Sequence, residues 1–168
     1  MTTVDLSAPR DARALIGMHT PAARVVVAVY LACVAFAMLA TVPHTPQAII
    51  AMVLGLLIIG SATVALLLVP GDPLPRPITA ALACAPAVAC AVILSGGPDL
   101  PPPTTGWAHG IGTMVLFFMC VRGRTGTAWV GMALMVSVYV VRSAILGLPP
   151  LQHIDNVLID LGPLVMAT

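Results

Sequence analysis

Long apolar runs, separated by short breaks rich in proline or arginine, dominate the chain after residue 24. A helix rises about 1.5 Å per residue, so each run reaches most or all of the way across a ~30 Å hydrocarbon core. The pattern predicts an all-α fold, a polytopic integral membrane helical bundle. Five complete spans are predicted at residues 25–42, 48–69, 78–95, 106–121 and 126–148, and a sixth helix at 154–168.

The two ends of the chain differ from this pattern. Residues 1–24 are the most polar part and predict an N-terminal arm outside the bundle, which occupies 25–168. A signal peptide would have a shorter basic region and a small-residue cleavage site, so the span at 25–42 is predicted to be retained. The sixth segment extends only about 22 Å as a helix. It is therefore either a short helix of a small protein or the truncated start of a helix in a longer one.

Composition supports the membrane class and excludes several chemistries. The 168 residues are 60% hydrophobic and 8% charged, far below the charge content of a soluble domain. Every cationic side chain apart from histidine is arginine and every acid is aspartate. A phosphate-loop lysine, a Schiff-base lysine and a glutamate general base are therefore absent from these residues. No catalytic motif and no cofactor motif is recognised, and a net charge of +1 gives no indication of a nucleic-acid partner.

The distribution of arginine predicts the orientation. With a cytoplasmic N-terminus, six of the seven arginines lie on the cytoplasmic side, and only Arg142 does not. The predicted outer loops, 43–47 and 96–105, carry no basic residue other than a histidine. By the positive-inside rule, the chain is predicted to lie in the inner (plasma) membrane of a bacterium with its N-terminus in the cytoplasm.

The third span carries small residues and a proline that bear on helix packing. Ala83, Ala87 and Ala91 recur every four residues, which favours close packing of helices in lipid. Pro86 is expected to kink the helix. The four cysteines all fall in apolar runs without metal-ligand spacing, so they are interpreted as small buried apolar side chains. They are Cys33, Cys84, Cys90 and Cys120.

The last two segments contain the strongest candidate for a functional site. His153, Asn156 and Asp160 lie at i, i+3 and i+7 and would share one face of a helix, while Asp155 lies off that face. An aspartate at the depth of Asp160 is costly in lipid and usually faces a bundle interior or a cavity. Arg142 is its predicted partner. The group of Asp160, Arg142, Asn156 and Asp155 is interpreted either as a structural ion pair or as a ligand or proton site.

Histidines offer a weaker possibility on the same side of the membrane. His44, His109 and His153 are all predicted near the outer surface, where neutral imidazoles could bind zinc or copper. The three histidines come from separate segments and show no ligand spacing, so loop and interface positions are the competing interpretation. Tyr139 is predicted to be an aromatic anchor at the membrane interface.

These features favour a membrane module without its own catalytic centre. We expect the sensory or anchoring N-terminal region of a longer signalling protein, such as a bacterial sensor histidine kinase. That expectation rests on architecture alone. A small transporter, or a non-catalytic accessory subunit of a membrane complex, is the alternative. The expected partners are the lipid bilayer and either further copies of the chain or other membrane subunits.

Overall fold

A computed structural model describes residues 21–41, 45–69, 73–97, 102–147 and 165. Within these residues the chain forms five α-helices and no strand, which confirms the predicted all-helical class. The helices are α1 (Pro21–Thr41), α2 (Pro46–Leu68), α3 (Arg76–Leu94), α4 (Pro102–Val121) and α5 (Thr125–Ile145). The predicted sixth helix, 154–168, lies outside the described residues except for Val165, which is helical.

Three of the described helices, α2, α3 and α5, are long and apolar enough to cross a membrane. The other two contain shorter apolar stretches, Val27–Thr41 in α1 and His109–Val121 in α4. Large apolar side chains remain on the outside of the bundle, including Phe36 at 76% exposure and Leu57 at 63%. Such a surface suits lipid better than water. Five complete spans with a sixth therefore remain a prediction.

Prolines start several helices where the sequence pattern suggested loops. Pro46 follows the N-cap Thr45, whose hydroxyl accepts a hydrogen bond from the Ala48 amide. Helix α4 begins at Pro102, inside the segment 96–105 that was predicted to be an outer loop, so that prediction was wrong from 102 onward. The reason is that proline in the first helical turn lacks only an N–H that would have no helical partner anyway.

Helix α3 is central, with contacts to α2, α4 and α5, while α4 contacts all four other helices. Of the predicted small-residue stripe on α3, Ala83 and Ala87 are buried and Ala91 is exposed. Gly131 of α5 packs on Ala83 so closely that a Cβ at 131 would lie 2.8 Å from the Ala83 carbonyl oxygen. Helix α3 continues through Pro86 without a break. The stripe thus packs α3 against α5 along part of its length.

The turn between α4 and α5 is fixed to the neighbouring helices by two arginines. Arg122, only 3% exposed, donates from Nη1 to the Leu66 carbonyl at 2.5 Å and from Nη2 to the Val69 carbonyl at 2.8 Å. Arg124 donates from Nε to the Leu74 carbonyl at 2.7 Å. The two bonds of Arg122 satisfy carbonyls at the C-terminal end of α2 that the helix itself leaves without donors. The bond of Arg124 holds the connection between α2 and α3. We call this end of the bundle the arginine end.

Candidate functional site

A cluster of polar side chains lies inside the bundle, centred on Tyr139 of α5. Tyr139 is 7% exposed, and its hydroxyl donates to the Sγ of Cys90 on α3 at 3.8 Å. Its ring meets the ring of His109 on α4 in an edge-to-face contact, with centroids 5.0 Å apart. Cys90 and His109 are both buried. Tyr139 therefore contacts α3 through Cys90 and α4 through His109.

Arg142 extends this cluster toward the end of the bundle opposite the arginine end. It lies three residues after Tyr139, on the same face of α5. Its Nη2 donates to the carbonyl of Gly97 at 3.0 Å, just beyond the end of α3. Ser143 beside it is buried. We refer to Cys90, His109, Tyr139 and Arg142 as the polar cluster.

A groove of about 580 Å³ opens beside Arg142. Its walls are the last turns of α3 and α5 together with the start of α2. At its rim, the side-chain amide of Gln47 donates to the Ser95 carbonyl at 3.2 Å. The lining combines many apolar side chains with very few polar ones: Gln47, Ala91, Leu94, Ser95, Gly97, Val138, Val141, Arg142, Ile145 and Leu146. The groove thus places one cationic group in an apolar environment, an arrangement suited to an apolar segment or ligand that carries an acid.

Two of the residues singled out from the sequence fall in the polar cluster. Arg142 lies on the same helix as Tyr139, and His109 contacts Tyr139 from α4. The other predicted site residues lie outside the described residues: Asp155, Asn156, Asp160, His44 and His153. The predicted pairing of Asp160 with Arg142 consequently stays a prediction. Among the residues that the structure describes, no three histidine, cysteine or acidic side chains come together as metal ligands.

His109 and Tyr139 both face the interior of the bundle. The side chain of His109 is 2% exposed, while its predicted position near the outer surface of the membrane stays a prediction. Because α4 begins at Pro102 rather than Gly106, His109 lies about 6 Å further along its helix than predicted. Tyr139, predicted as an interface anchor, packs inside the bundle. In both cases the side chain faces neighbouring helices, a direction that the surrounding apolar sequence does not mark.

The cysteines divide between two environments. Cys90 and Cys120 are buried, whereas Cys33 and Cys84 are exposed on the outside of the bundle. The prediction that all four are buried was therefore wrong for two of them. Cys84 and Cys90 are six residues apart, which turns them to different faces of α3 because each residue advances the helix by about 100°. The hydrogen bond from Tyr139 to Cys90 could not be predicted from the sequence, because the two residues lie on different helices.

Polar groups buried inside an apolar helical bundle commonly mark a functional region in membrane proteins. Ionisable side chains in membrane helices are rare, face the interior or a cavity, and pair with one another or with backbone carbonyls. The polar cluster has these properties through His109 and Arg142. Because Tyr139 contacts two other helices, the cluster also defines the rotation of α5 relative to α3 and α4.

Comparison with known proteins places the chain in a family. A family model matches residues 20–168. This chain belongs to that family. It is described as Domain of unknown function (DUF8320). No curated protein matches the chain, and no solved structure matches it.

Proposed function

We propose that this chain is the multi-pass membrane region of a signalling protein, in which the polar cluster couples the outer end of the bundle to an attached cytoplasmic part. The observation that carries this proposal is the distribution of the cluster over three helices. Arg142 lies beside a groove and bonds to Gly97, while Tyr139, three residues away, contacts Cys90 and His109. A change at the groove would thus act on α3, α4 and α5 together.

The coupling follows from how the contacts are connected. A stimulus that displaces Arg142 from the Gly97 carbonyl would release the end of α5 from α3. Tyr139 moves with the same helix, so its contacts with Cys90 and His109 would change as well. A stimulus can shift the bundle only by as much as it binds one arrangement better than the other. In the proposed orientation, such a shift would reach the cytoplasmic side through α5 and the segment after it.

The mass and the chemistry of the natural protein test this proposal. We expect the protein made from its native gene to have an intact mass well above the 17.2 kDa of these residues. We also expect the membrane-embedded protein to incorporate phosphate from labelled ATP. A natural mass of 17.2 kDa would contradict the signalling role, because no cytoplasmic domain would then be attached.

A variant at the groove provides the second arm of the test. Arg142→Gln should change the extent of phosphorylation while the amount of protein in the membrane stays the same. The matched control is Arg76→Gln, which removes the same charge from an exposed position at the arginine end. Equal effects of the two substitutions, or effects that only follow protein amount, would contradict coupling through the polar cluster.

A small transporter is the second candidate, favoured by the burial of His109 inside the bundle. Membrane histidines and arginines often line ion or proton pathways. Proteoliposomes containing a pH-sensitive dye, with a membrane potential set by potassium and valinomycin, distinguish this function. Proton entry that depends on the protein and disappears in His109→Gln would replace the signalling proposal.

A further inference from the structure

The groove beside Arg142 is polar at the end of the bundle and apolar further in. Its polar side chains are Gln47 at the start of α2, Ser95 at the C-cap of α3 and Arg142 in the last turn of α5. Ala91 and Val138, which also line it, each lie one helical turn before Ser95 and Arg142, or about 6 Å deeper. The groove therefore has the polarity of an amphiphile, with the polar part outermost.

The position of Arg142 along the bundle is not explained by topology. The positive-inside bias collects basic residues on one side of a membrane, as Arg76, Arg122 and Arg124 are collected at the arginine end. Arg142 lies at the opposite end, beside apolar wall residues. A cation next to hydrocarbon is costly, and such residues commonly mark the binding of a charged partner. The charge that complements this groove is an anion.

We propose that the groove binds one anionic phospholipid, with the lipid phosphate on the Arg142 guanidinium and an acyl chain along the apolar wall. A guanidinium suits a phosphate because its N–H groups form a planar fork that matches two phosphate oxygens. Its five N–H donors allow a phosphate contact while Nη2 stays on the Gly97 carbonyl. The volume of about 580 Å³ lies within the range of about 300–1,000 Å³ that is usual for ligand pockets.

The wall of the groove favours a lipid over a small soluble anion. Val141 and Ile145 on α5 are 57% and 79% exposed, and Ala91 on α3 is exposed as well. A free phosphate would contact only the polar end and would leave this apolar surface uncovered. An acyl chain covers it, while the headgroup remains at the end of the helices, where the membrane surface lies. Basic pockets between membrane helices bind anionic headgroups in this way.

The inference gives a ligand class to the groove at which the proposed function places the stimulus, and it rests on that function for the effect of the bound lipid. Binding is measured by lipid retention, without any phosphorylation readout. A protein that retains the lipid but incorporates no phosphate would contradict signalling alone. A protein that incorporates phosphate but retains no lipid would contradict this inference alone.

Lipid retention by the full natural chain is the main test. The protein is reconstituted in phosphatidylcholine vesicles with a rising mole fraction of phosphatidylglycerol, extracted in mild detergent and weighed by native mass spectrometry. We expect one phosphatidylglycerol to stay on each chain. Arg142→Gln should raise the mole fraction needed for half retention about tenfold, because a charge-assisted contact is lost. Arg76→Gln, which removes a charge from an exposed position at the arginine end, should leave it unchanged.

A second variant blocks the apolar part of the groove and keeps the charge, so the test stays decisive if Arg142→Gln fails to fold. Ala91→Phe places a ring where the acyl chain would lie, and the exposed position tolerates a larger side chain. It should weaken retention as Arg142→Gln does. The control is Ala80→Phe, at an exposed alanine of the same helix that does not line the groove, and it should retain the lipid.

Photocrosslinking in the bilayer identifies the occupant directly. Val141, in the wall of the groove, is replaced by benzoylphenylalanine, and the adducts are weighed after irradiation. Phosphatidylglycerol should exceed its share of the bilayer among these adducts. The control is the same replacement at Leu57, which is 63% exposed on α2 and does not line this groove. Adducts from that position should match the composition of the bilayer.

Four results would overturn the proposal. The first is equal retention by Arg142→Gln and the unchanged protein, and the second is equal loss in Ala91→Phe and Ala80→Phe. The third is a crosslink from position 141 to protein in place of lipid, which would assign the groove to a second copy or to another part of the same chain. The fourth is displacement of the lipid by glycerol phosphate in solution, which would assign Arg142 to a soluble phosphate ester.

Discussion

At the scale of the residue, Arg122 combines two roles that the sequence does not separate. Its charge is one of the six that predict the cytoplasmic side. In the structure its guanidinium is also buried and donates to the carbonyls of Leu66 and Val69 at the end of α2. The C-terminus of a helix carries partial negative charge and carbonyls without donors, so a cation there is stabilising.

Replacing Arg122 should therefore destabilise the bundle. Arg122→Ala leaves two carbonyls without their charged donor, and we expect a loss of roughly 2–3 kcal/mol in the free energy of unfolding. Arg122→Lys should restore less than half, because an ammonium cannot match the fork of a guanidinium that bridges two carbonyls. The measurement is unfolding in mixed micelles of increasing SDS fraction, followed by circular dichroism.

Arg76→Ala is the matched control for Arg122→Ala. It removes the same topological charge from the arginine end, but at an exposed side chain. Its effect should stay within about 0.5 kcal/mol, as for most surface substitutions. Similar losses in the two variants would show that the hydrogen bonds of Arg122 do not stabilise the bundle.

At the scale of the element, the approach of α5 to α3 depends on a missing side chain at Gly131. A Cβ there would lie 2.8 Å from the Ala83 carbonyl oxygen and 3.2 Å from the Ala83 Cα. Backbone atoms cannot move aside as a flexible side chain can, so the two helices would have to separate. The polar cluster lies further along the same pair of helices, with Tyr139 on α5 and Cys90 on α3.

We expect Gly131→Ala to destabilise the protein by about 1–3 kcal/mol, the range for overpacking a well-packed core. Gly126→Ala on the same helix is the control, because nothing described lies within 4 Å of a Cβ at 126. That control should be neutral or stabilising by up to about 1 kcal/mol, since alanine is the better helix former. Thermal unfolding of both variants measures the difference, and a loss in Gly126→Ala equal to that in Gly131→Ala would contradict close packing at Gly131.

At the scale of the whole molecule, the orientation in the membrane is the main prediction. Three arginines lie at the arginine end: Arg76 at the start of α3, and Arg122 and Arg124 in the turn between α4 and α5. The positive-inside rule then places this end in the cytoplasm. The groove and Arg142 would face the other side, where a stimulus from outside the cell could reach them.

Cysteine labelling from outside intact cells measures this orientation, in a background where exposed Cys33 and Cys84 are replaced by serine. Thr45→Cys, at the exposed start of α2, should react with an impermeant maleimide, and Pro73→Cys, exposed at the arginine end, should react only after the cells are opened. Leu74 is fully buried and would be a poor reporter of either side. The reverse pattern would place the arginine end outside.

The predictability of the structure differs between helices and side-chain contacts. The apolar runs located all five described helices, and the main error in position was the early start of α4 at Pro102. Arg142 and His109 were identified as candidates because ionisable groups stand out in apolar segments. Tyr139 and Cys90 were not identified, because their importance depends on a contact between α5 and α3.

The sequence alone determined that the chain forms apolar helices, and only the tertiary structure decided which side of each helix faces inward. A backbone in lipid must satisfy its hydrogen bonds internally, so a long apolar run has few alternatives to a helix. Lipid and the bundle interior are both apolar, however, and the sequence therefore carries little periodic contrast between inward and outward faces. For that reason Cys84 is exposed while Cys90 is buried on the same helix, and His109 meets Tyr139 without a pattern that marks either.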